Sequence, residues 1–292
     1  MIAAKLAPVS ISRIGVVGAG FMGSGIAESA AAAGIDVTIH EPEQAPLERS
    51  RGQLETSVAR AVSRGKLTQE DADGLIGRIV YTARFEDLAG VDAVVEAVVE
   101  DPRVKGKLFA ELDRQLPDAQ FLASNTSSIP IAELAAWTQH PERVLGLHFF
   151  SPVPVMRLVE VVVGLDTAAE TVDRAESFAA AIRKQPIRTK DRSGFIVNML
   201  LVPYLMAAVR MYEEGFAARE DIDEGMRLGC GHPMGPLTLC DFIGLDVLYA
   251  VCVSLYEEFK RSEYAPPPLL KRMVVSGHHG RKAGRGFYEY QQ

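Results

Sequence analysis

Residues 12–42 read SRIGVVGAGFMGSGIAESAAAAGIDVTIHEP, and the order of residue types in this stretch decides the fold. Ile14 to Val17 is a short apolar run suited to a parallel strand buried on both faces. A glycine-rich turn follows. Ala27 to Ala33 is rich in alanine, the best helix former. Gly34 stands where glycine commonly ends a helix, and Val37 to Ile39 supplies a second strand. Strand, helix and strand in about 30 residues make a βαβ unit.

Gly18, Gly20 and Gly23 place G-x-G-x-x-G at the junction of strand and helix. The first glycine permits a tight turn, the second lets the backbone approach a pyrophosphate, and the third lets the helix pack on the strand. The helix N-terminus offers unpaired N–H groups and partial positive charge to phosphates. Phe21 and Met22 lie inside this fingerprint and join the cofactor-binding candidates. Glu41 ends the second strand, about 20 residues on, and is placed to bind the adenosine ribose hydroxyls. A glycine-rich turn that only packs is the plain alternative, and this context argues against it. A carboxylate at position 41 disfavours the extra phosphate of NADP, so NAD is the expected cofactor. His40 and Arg49 soften that preference, and FAD uses a similar fingerprint.

The alternation continues outward. Residues 43–64 carry Leu47, Leu54, Val58, Ala61 and Val62 as a helical stripe, and 68–76 read as a second helix with Thr68 as N-cap. Strands are expected over 92–99 (DAVVEAVV), 121–124 and 144–150, with helices over 103–115 and 131–137 between them. This pattern implies a mostly parallel sheet covered on both faces. A strand over 155–163 follows after only SPVP. So short a connection cannot return a parallel strand, so the pair is antiparallel. A helix over about 168–183 and a strand over about 186–190 precede a chiefly helical remainder. The expected fold class is α/β. A Rossmann-like, mostly parallel sheet domain spans 1–190, and an all-helical domain spans 191–292.

Composition sets the limits. The 292 residues are 48% hydrophobic and 24% charged, an ordinary globular mix, and the net charge of −7 argues against a nucleic-acid partner. The three cysteines form no CxxC pair, which fits a reducing compartment. The opening MIAAKLAPVS lacks the apolar core of a signal peptide, and no run reaches about 18 apolar residues. A cytoplasmic protein with no membrane span is expected. Neither GxSxG nor Walker A occurs, and no metal-ligand spacing is found, so a metal-independent enzyme is expected.

Of six histidines, His148 is singled out because it ends an expected sheet strand before a turn. Ligands in such sheets bind outside the carboxyl ends of the strands. Removing a hydroxyl proton as hydride leaves carbon calls for a base with a pKa near the working pH, which suits histidine. Glu160 interrupts the apolar run LVEVVV on the neighbouring strand. A buried carboxylate needs a partner, and a His–Glu pair would fix the imidazole tautomer and stabilise an imidazolium. The alternatives are a structural histidine and an outward-facing edge-strand glutamate. SNTSS at 124–128 offers hydroxyls and an amide for a substrate oxygen or the nicotinamide ribose, or serves only as turn and cap residues. Asn198 sits among Ile196, Val197, Met199, Leu200 and Leu201 in a helix expected to begin near Ser193, ambiguous between a helix contact and a ligand contact.

With these segments the chain resembles the short-chain 3-hydroxyacyl-CoA dehydrogenases, most of all the bacterial 3-hydroxybutyryl-CoA dehydrogenases. The carriers are GVVGAGFMGSGIAESAAAAG, DAVVEAVVEDPRVKGKLFAELD, ASNTSSIPI, VLGLHFFSPVPVMRLVEVV, DRSGFIVNMLLVPYL, GHPMGPLTLCDFIGLD and GRKAGRGFYEY, in family order over nearly the whole chain. The resemblance implies His148 as catalytic base and Glu160 as its paired carboxylate. It implies Ser127 at the reacting oxygen and Asn198 at the acyl group. Glu100, Lys105 and Asn125 match cofactor-side positions, and Gly18, Gly20, Gly23 and Glu41 carry over as dinucleotide contacts. It further implies NAD, an acyl-CoA substrate bound between the domains, and a homodimer formed by the helical domain. Two departures stand out. The family usually has HFFNP where this chain has Ser151 in HFFSP, and aspartate is commoner than Glu41. The rival readings are an L-gulonate-type sugar-acid dehydrogenase and a catalytically silent NAD-binding protein.

Overall fold

The computed structural model describes residues 11–291; the opening decapeptide read above for a leader lies outside them. The strands are β1 (Arg13–Val17), β2 (Asp36–His40), β3 (Ile79–Thr82), β4 (Ala93–Glu96), β5 (Leu122–Ser124), β6 (Val144–Phe149), β7 (Leu158–Val163) and β8 (Gln185–Lys190). The helices are α1 (Phe21–Ala32), α2 (Gln44–Ser63), α3 (Gln69–Gly77), α4 (Pro102–Gln115), α5 (Ile131–Ala135) and α6 (Ala169–Ala181). A further five follow: α7 (Val197–Glu213), α8 (Arg219–Cys230), α9 (Pro236–Ile243), α10 (Leu245–Phe259) and α11 (Pro268–Val275). The chain divides between Asp191 and Arg192 into two compact units. No single helix among the described residues is long and apolar enough to cross a membrane.

The first unit is built on one sheet of order β3-β2-β1-β4-β5-β6-β7-β8. The strands from β3 to β6 run parallel, β6 and β7 are antiparallel, and β7 and β8 are parallel. The strand order reverses at β1, between β2 and β4, which opens a crevice at their carboxyl ends. The central strands read as continuous apolar runs because both faces are covered. Ile14, Val16, Val95 and Leu147 join one core with Ile26 of α1 and Phe178 of α6, while α4 and α5 pack by β5 and β6. In the second unit, α7, α9, α10 and α11 bury Leu205, Met206, Leu237, Leu255 and Leu270 around a core of its own.

Several local expectations hold for their stated reasons. Thr68 caps α3 by accepting from the Asp71 amide at 3.1 Å. Gly34 has φ 87°, the left-handed conformation that follows a helix end. Other boundaries move. β3 has no counterpart in the sequence reading. It is an edge strand with two of its four residues buried, so it lacks the apolar run of its neighbours. The strand expected over 92–99 stops at Glu96, where the Glu96 carboxylate takes the Val98 amide at 2.6 Å and turns the chain. The strand expected from 155 begins at Leu158, because Lys184 holds the preceding turn through the carbonyls of Val153 and Met156. The helix expected from Ser193 begins at Val197. Gly194 at φ 82° and Phe195 at φ 50° are left-handed and cannot continue a right-handed helix.

Candidate active site

The strand carrying His148 is anchored at its start. Arg143 buries its guanidinium on the Asp113 carboxylate of α4 at 2.6 Å and on the Leu116 carbonyl at 2.7 Å. At the other end of β6, the antiparallel register sets His148 directly opposite Glu160 of β7. Residues so paired project from the same face with Cβ atoms about 5 Å apart. Their side chains meet at 2.7 Å, Nδ1 to Oε2, and both are buried, at 4% and 1% exposure. A carboxylate only accepts, so Nδ1 carries a proton, and in the neutral imidazole Nε2 is then the lone-pair nitrogen. The ring is flanked by Phe150, at 4.6 Å between centroids.

Nε2 faces the Ser127 hydroxyl at 3.2 Å. Ser127 lies in the loop after β5, and that loop is tightly held. Asn125 Oδ1 accepts from the Phe149 amide at 2.9 Å, which ties the loop to the end of β6. Glu100 accepts from the Thr126 hydroxyl at 2.5 Å, the Ser127 amide at 3.0 Å and the Ser128 hydroxyl at 3.3 Å. Burial opposes ionisation of Glu100, but the Lys105 ammonium and these hydrogen bonds outweigh it and hold its carboxyl below the usual range. Lys105 is 1% exposed. Its ammonium bridges Glu96 at 2.5 Å and Glu100 at 3.2 Å.

Beside this site, the glycine-rich turn follows β1. Gly18 has φ 107°, and a Cβ there would stand 2.5 Å from the Ala97 carbonyl oxygen beyond β4. A Cβ on Gly23 would stand 1.9 Å from the Gly18 oxygen. Around Gly20 a Cβ meets nothing within 4 Å, so the backbone there faces open space at the head of α1. α1 has no side-chain cap, which leaves its first-turn amides available to a ligand. Glu41 lies past β2 with Oε2 3.3 Å from the Ala19 amide of the same turn. Phe21 is 60% exposed at the start of α1, and Met22 packs partly on the core.

Residues 13–192 match the family model of the 3-hydroxyacyl-CoA dehydrogenase NAD binding domain, and residues 194–290 match that of the C-terminal domain. The chain belongs to the 3-hydroxyacyl-CoA dehydrogenase family. It is 54% identical over 284 residues to a 3-hydroxybutyryl-CoA dehydrogenase of Mycobacterium tuberculosis, covering 96% of this chain and 99% of the relative. It is 40% identical to the mitochondrial hydroxyacyl-coenzyme A dehydrogenase of Homo sapiens, covering 97% of this chain and 92% of that one. The crystal structure of (S)-3-hydroxybutyryl-CoA dehydrogenase from Ralstonia eutropha superposes with a TM-score of 0.91 at 42% identity, over 97% of this chain and all of that one.

The turn fits the family's NAD: it combines the left-handed Gly18, open backbone at Gly20, free amides on α1 and a carboxylate at Glu41. Gly23 is the glycine of this turn that a substitution would crowd most. Gly23→Ala is expected to weaken NADH binding by about 10-fold or more, because a new methyl must displace the Gly18 peptide that shapes the turn. Titration of nicotinamide fluorescence reads this directly, and unchanged affinity would contradict it.

The first unit thus brings together His148, Glu160, Ser127, Asn125, Glu100 and Lys105. Asn198 is the second residue of α7 and belongs to the other unit. Ser151 is exposed in the turn after β6, and the His148–Glu160 pair forms without it. The sequence reading passes over Glu96 and Thr126. Glu96 carries a visible signal, a carboxylate interrupting the apolar run VVEAVV, the same pattern that singles out Glu160. Thr126 carries none, since one hydroxyl among five polar residues looks like any other.

Proposed function

We propose that this dehydrogenase interconverts (S)-3-hydroxyacyl-CoA and 3-ketoacyl-CoA with NAD(H), with short chains such as 3-hydroxybutyryl-CoA as substrates. The observation that carries this reading is the line from buried Glu160 through Nδ1 and Nε2 of buried His148 to the half-buried Ser127. In the oxidative direction Nε2 takes the proton of the C3 hydroxyl. NAD held at the glycine-rich turn would supply the acceptor for the hydride of C3. Glu160 stabilises the imidazolium that forms and keeps Nε2 turned toward the substrate. The Ser127 hydroxyl orients the reacting oxygen, and Asn198 holds the acyl and thioester region. Gly18, Gly20, Phe21, Met22, Gly23 and Glu41 make the adenosine and pyrophosphate side of the cofactor site. Glu100, Lys105 and Asn125 shape the nicotinamide side. The free thiols of Cys230, Cys240 and Cys252 support a reducing, cytoplasmic setting. The names of the relatives support a role in fatty acid metabolism, and the family resemblance supports a homodimer formed by the helical unit.

Acetoacetyl-CoA reduction tests the reading. Turnover with NADH is expected to exceed that with NADPH by about tenfold or more in kcat/KM, because the Glu41 carboxylate repels a 2′-phosphate. Preference for NADPH would overturn the role given to Glu41. Failure of folded protein to reduce acetoacetyl-CoA, with oxidation of L-gulonate instead, would replace the substrate class.

A further inference from the structure

Glu96 is wholly buried at the carboxyl end of β4 and does not touch His148 or Glu160 through any bond described above. Its two oxygens nevertheless hold the Ser127 loop by separate routes. Oε2 accepts from the Ser124 hydroxyl at 2.6 Å, and Ser124 Oγ in turn accepts from the Thr126 amide at 3.2 Å. Oε1 accepts from the Lys105 ammonium at 2.5 Å, and that ammonium also pairs with Glu100 at 3.2 Å. Glu100 then takes the Ser127 amide. Burying the Glu96 carboxylate and the Lys105 ammonium costs several kcal/mol in desolvation, and apolar residues of similar volume would often stabilise such a position better. What the ionic arrangement supplies and an apolar one does not is direction. It divides the ammonium between two acceptors, so that one Glu100 oxygen stays with the loop.

We propose that Glu96 is a positioning residue for the dehydrogenase reaction, acting through Lys105 and Ser124 to set the Ser127 hydroxyl against Nε2 of His148. The assignment rests on the functional reading above. Without the Glu96 charge, the Lys105 ammonium keeps the Val98 carbonyl at 3.5 Å and Oε2 of Glu100, and its stronger pull on Oε2 turns the carboxylate whose Oε1 holds the Ser127 amide. The loop then loosens on the side that faces His148, and the chemical step slows.

A double-mutant cycle in the full-length protein tests this. Glu96→Gln is expected to lower kcat for acetoacetyl-CoA reduction about 10-fold. In a Ser127→Ala background the same change is expected to lower kcat less than about twofold, because residues acting as one unit are not additive. Equal fold-losses in the two backgrounds would show a general structural role and overturn the proposal. Ser124→Ala removes one route without touching a buried charge. It is expected to lower kcat about threefold, again only when Ser127 is present, and it carries the test if Glu96→Gln does not fold. A second readout is independent of turnover. In 15N-histidine-labelled protein, the Nε2 resonance of His148, identified by its loss in His148→Ala, is expected to move in Glu96→Gln in the direction it moves in Ser127→Ala. A resonance unmoved in folded Glu96→Gln overturns the proposal. Wild-type protein inactive on acetoacetyl-CoA overturns the functional reading alone, and the resonance then decides the positioning.

Discussion

Replacing His148 by alanine is expected to lower kcat for acetoacetyl-CoA reduction by about 10³-fold while leaving NADH affinity within about twofold. The size follows from the geometry. Nε2 is the lone-pair nitrogen of a buried ring whose other nitrogen is committed to Glu160 at 2.7 Å. Water admitted by the alanine cannot reproduce that fixed orientation. The adenosine and pyrophosphate side is untouched, because the glycine-rich turn follows β1, and β4 and β5 stand between β1 and β6 in the sheet. The variant also leaves the Glu160 carboxylate buried without its imidazole, which lowers stability by about 3–5 kcal/mol. Thermal unfolding must therefore accompany the kinetics. A folded His148→Ala protein that keeps more than about a tenth of wild-type turnover would remove His148 from the acid–base role.

Glu160→Gln is expected to lower kcat by about 10²-fold, with a smaller loss of stability than His148→Ala. The amide keeps the shape and can still accept from Nδ1, so the tautomer survives. What disappears is the negative charge that stabilises the imidazolium as the proton arrives, and at 1% exposure that charge is little screened by water. Combined with His148→Ala, the same substitution is expected to change kcat less than about twofold, because Glu160 acts only through the ring. A full additional loss in the double variant would show that Glu160 contributes by another path.

Much of this site is legible from local patterns. Four features of the chain set His148 against Glu160: an apolar run ending in HFF, a connection too short for a parallel return, a second apolar run and one carboxylate within it. The same logic applied to VVEAVV marks Glu96 as a buried charge but leaves its partners unnamed. Lys105 and Glu100 follow in the next helix and turn, whereas Ser124 and Ser127 lie on another strand and loop. Lys105 shows the limit most sharply. The family resemblance implies a cofactor-side role for it, and the structure buries its ammonium on Glu96 and Glu100. A lysine at the start of an amphipathic helix reads as solvent-facing unless the strand beneath it is known.

By itself the sequence determines the βαβ unit, the glycine turn, the sheet domain followed by helices, and the antiparallel β6–β7 pair. Each of these is written within a few consecutive residues, in a period of two or 3.6, a glycine that must take positive φ, or the length of one connection. Only the tertiary structure decides that Ile79–Thr82 joins the sheet as its edge, where half-buried residues pair with β2. It alone decides that α7 starts after a left-handed turn at Gly194 and Phe195. It also decides that Glu96, Glu100, Lys105, Ser124 and Thr126 form one hydrogen-bonded support under Ser127. Those partners come from separate elements whose ends converge only when the sheet is assembled, so no local period records their meeting.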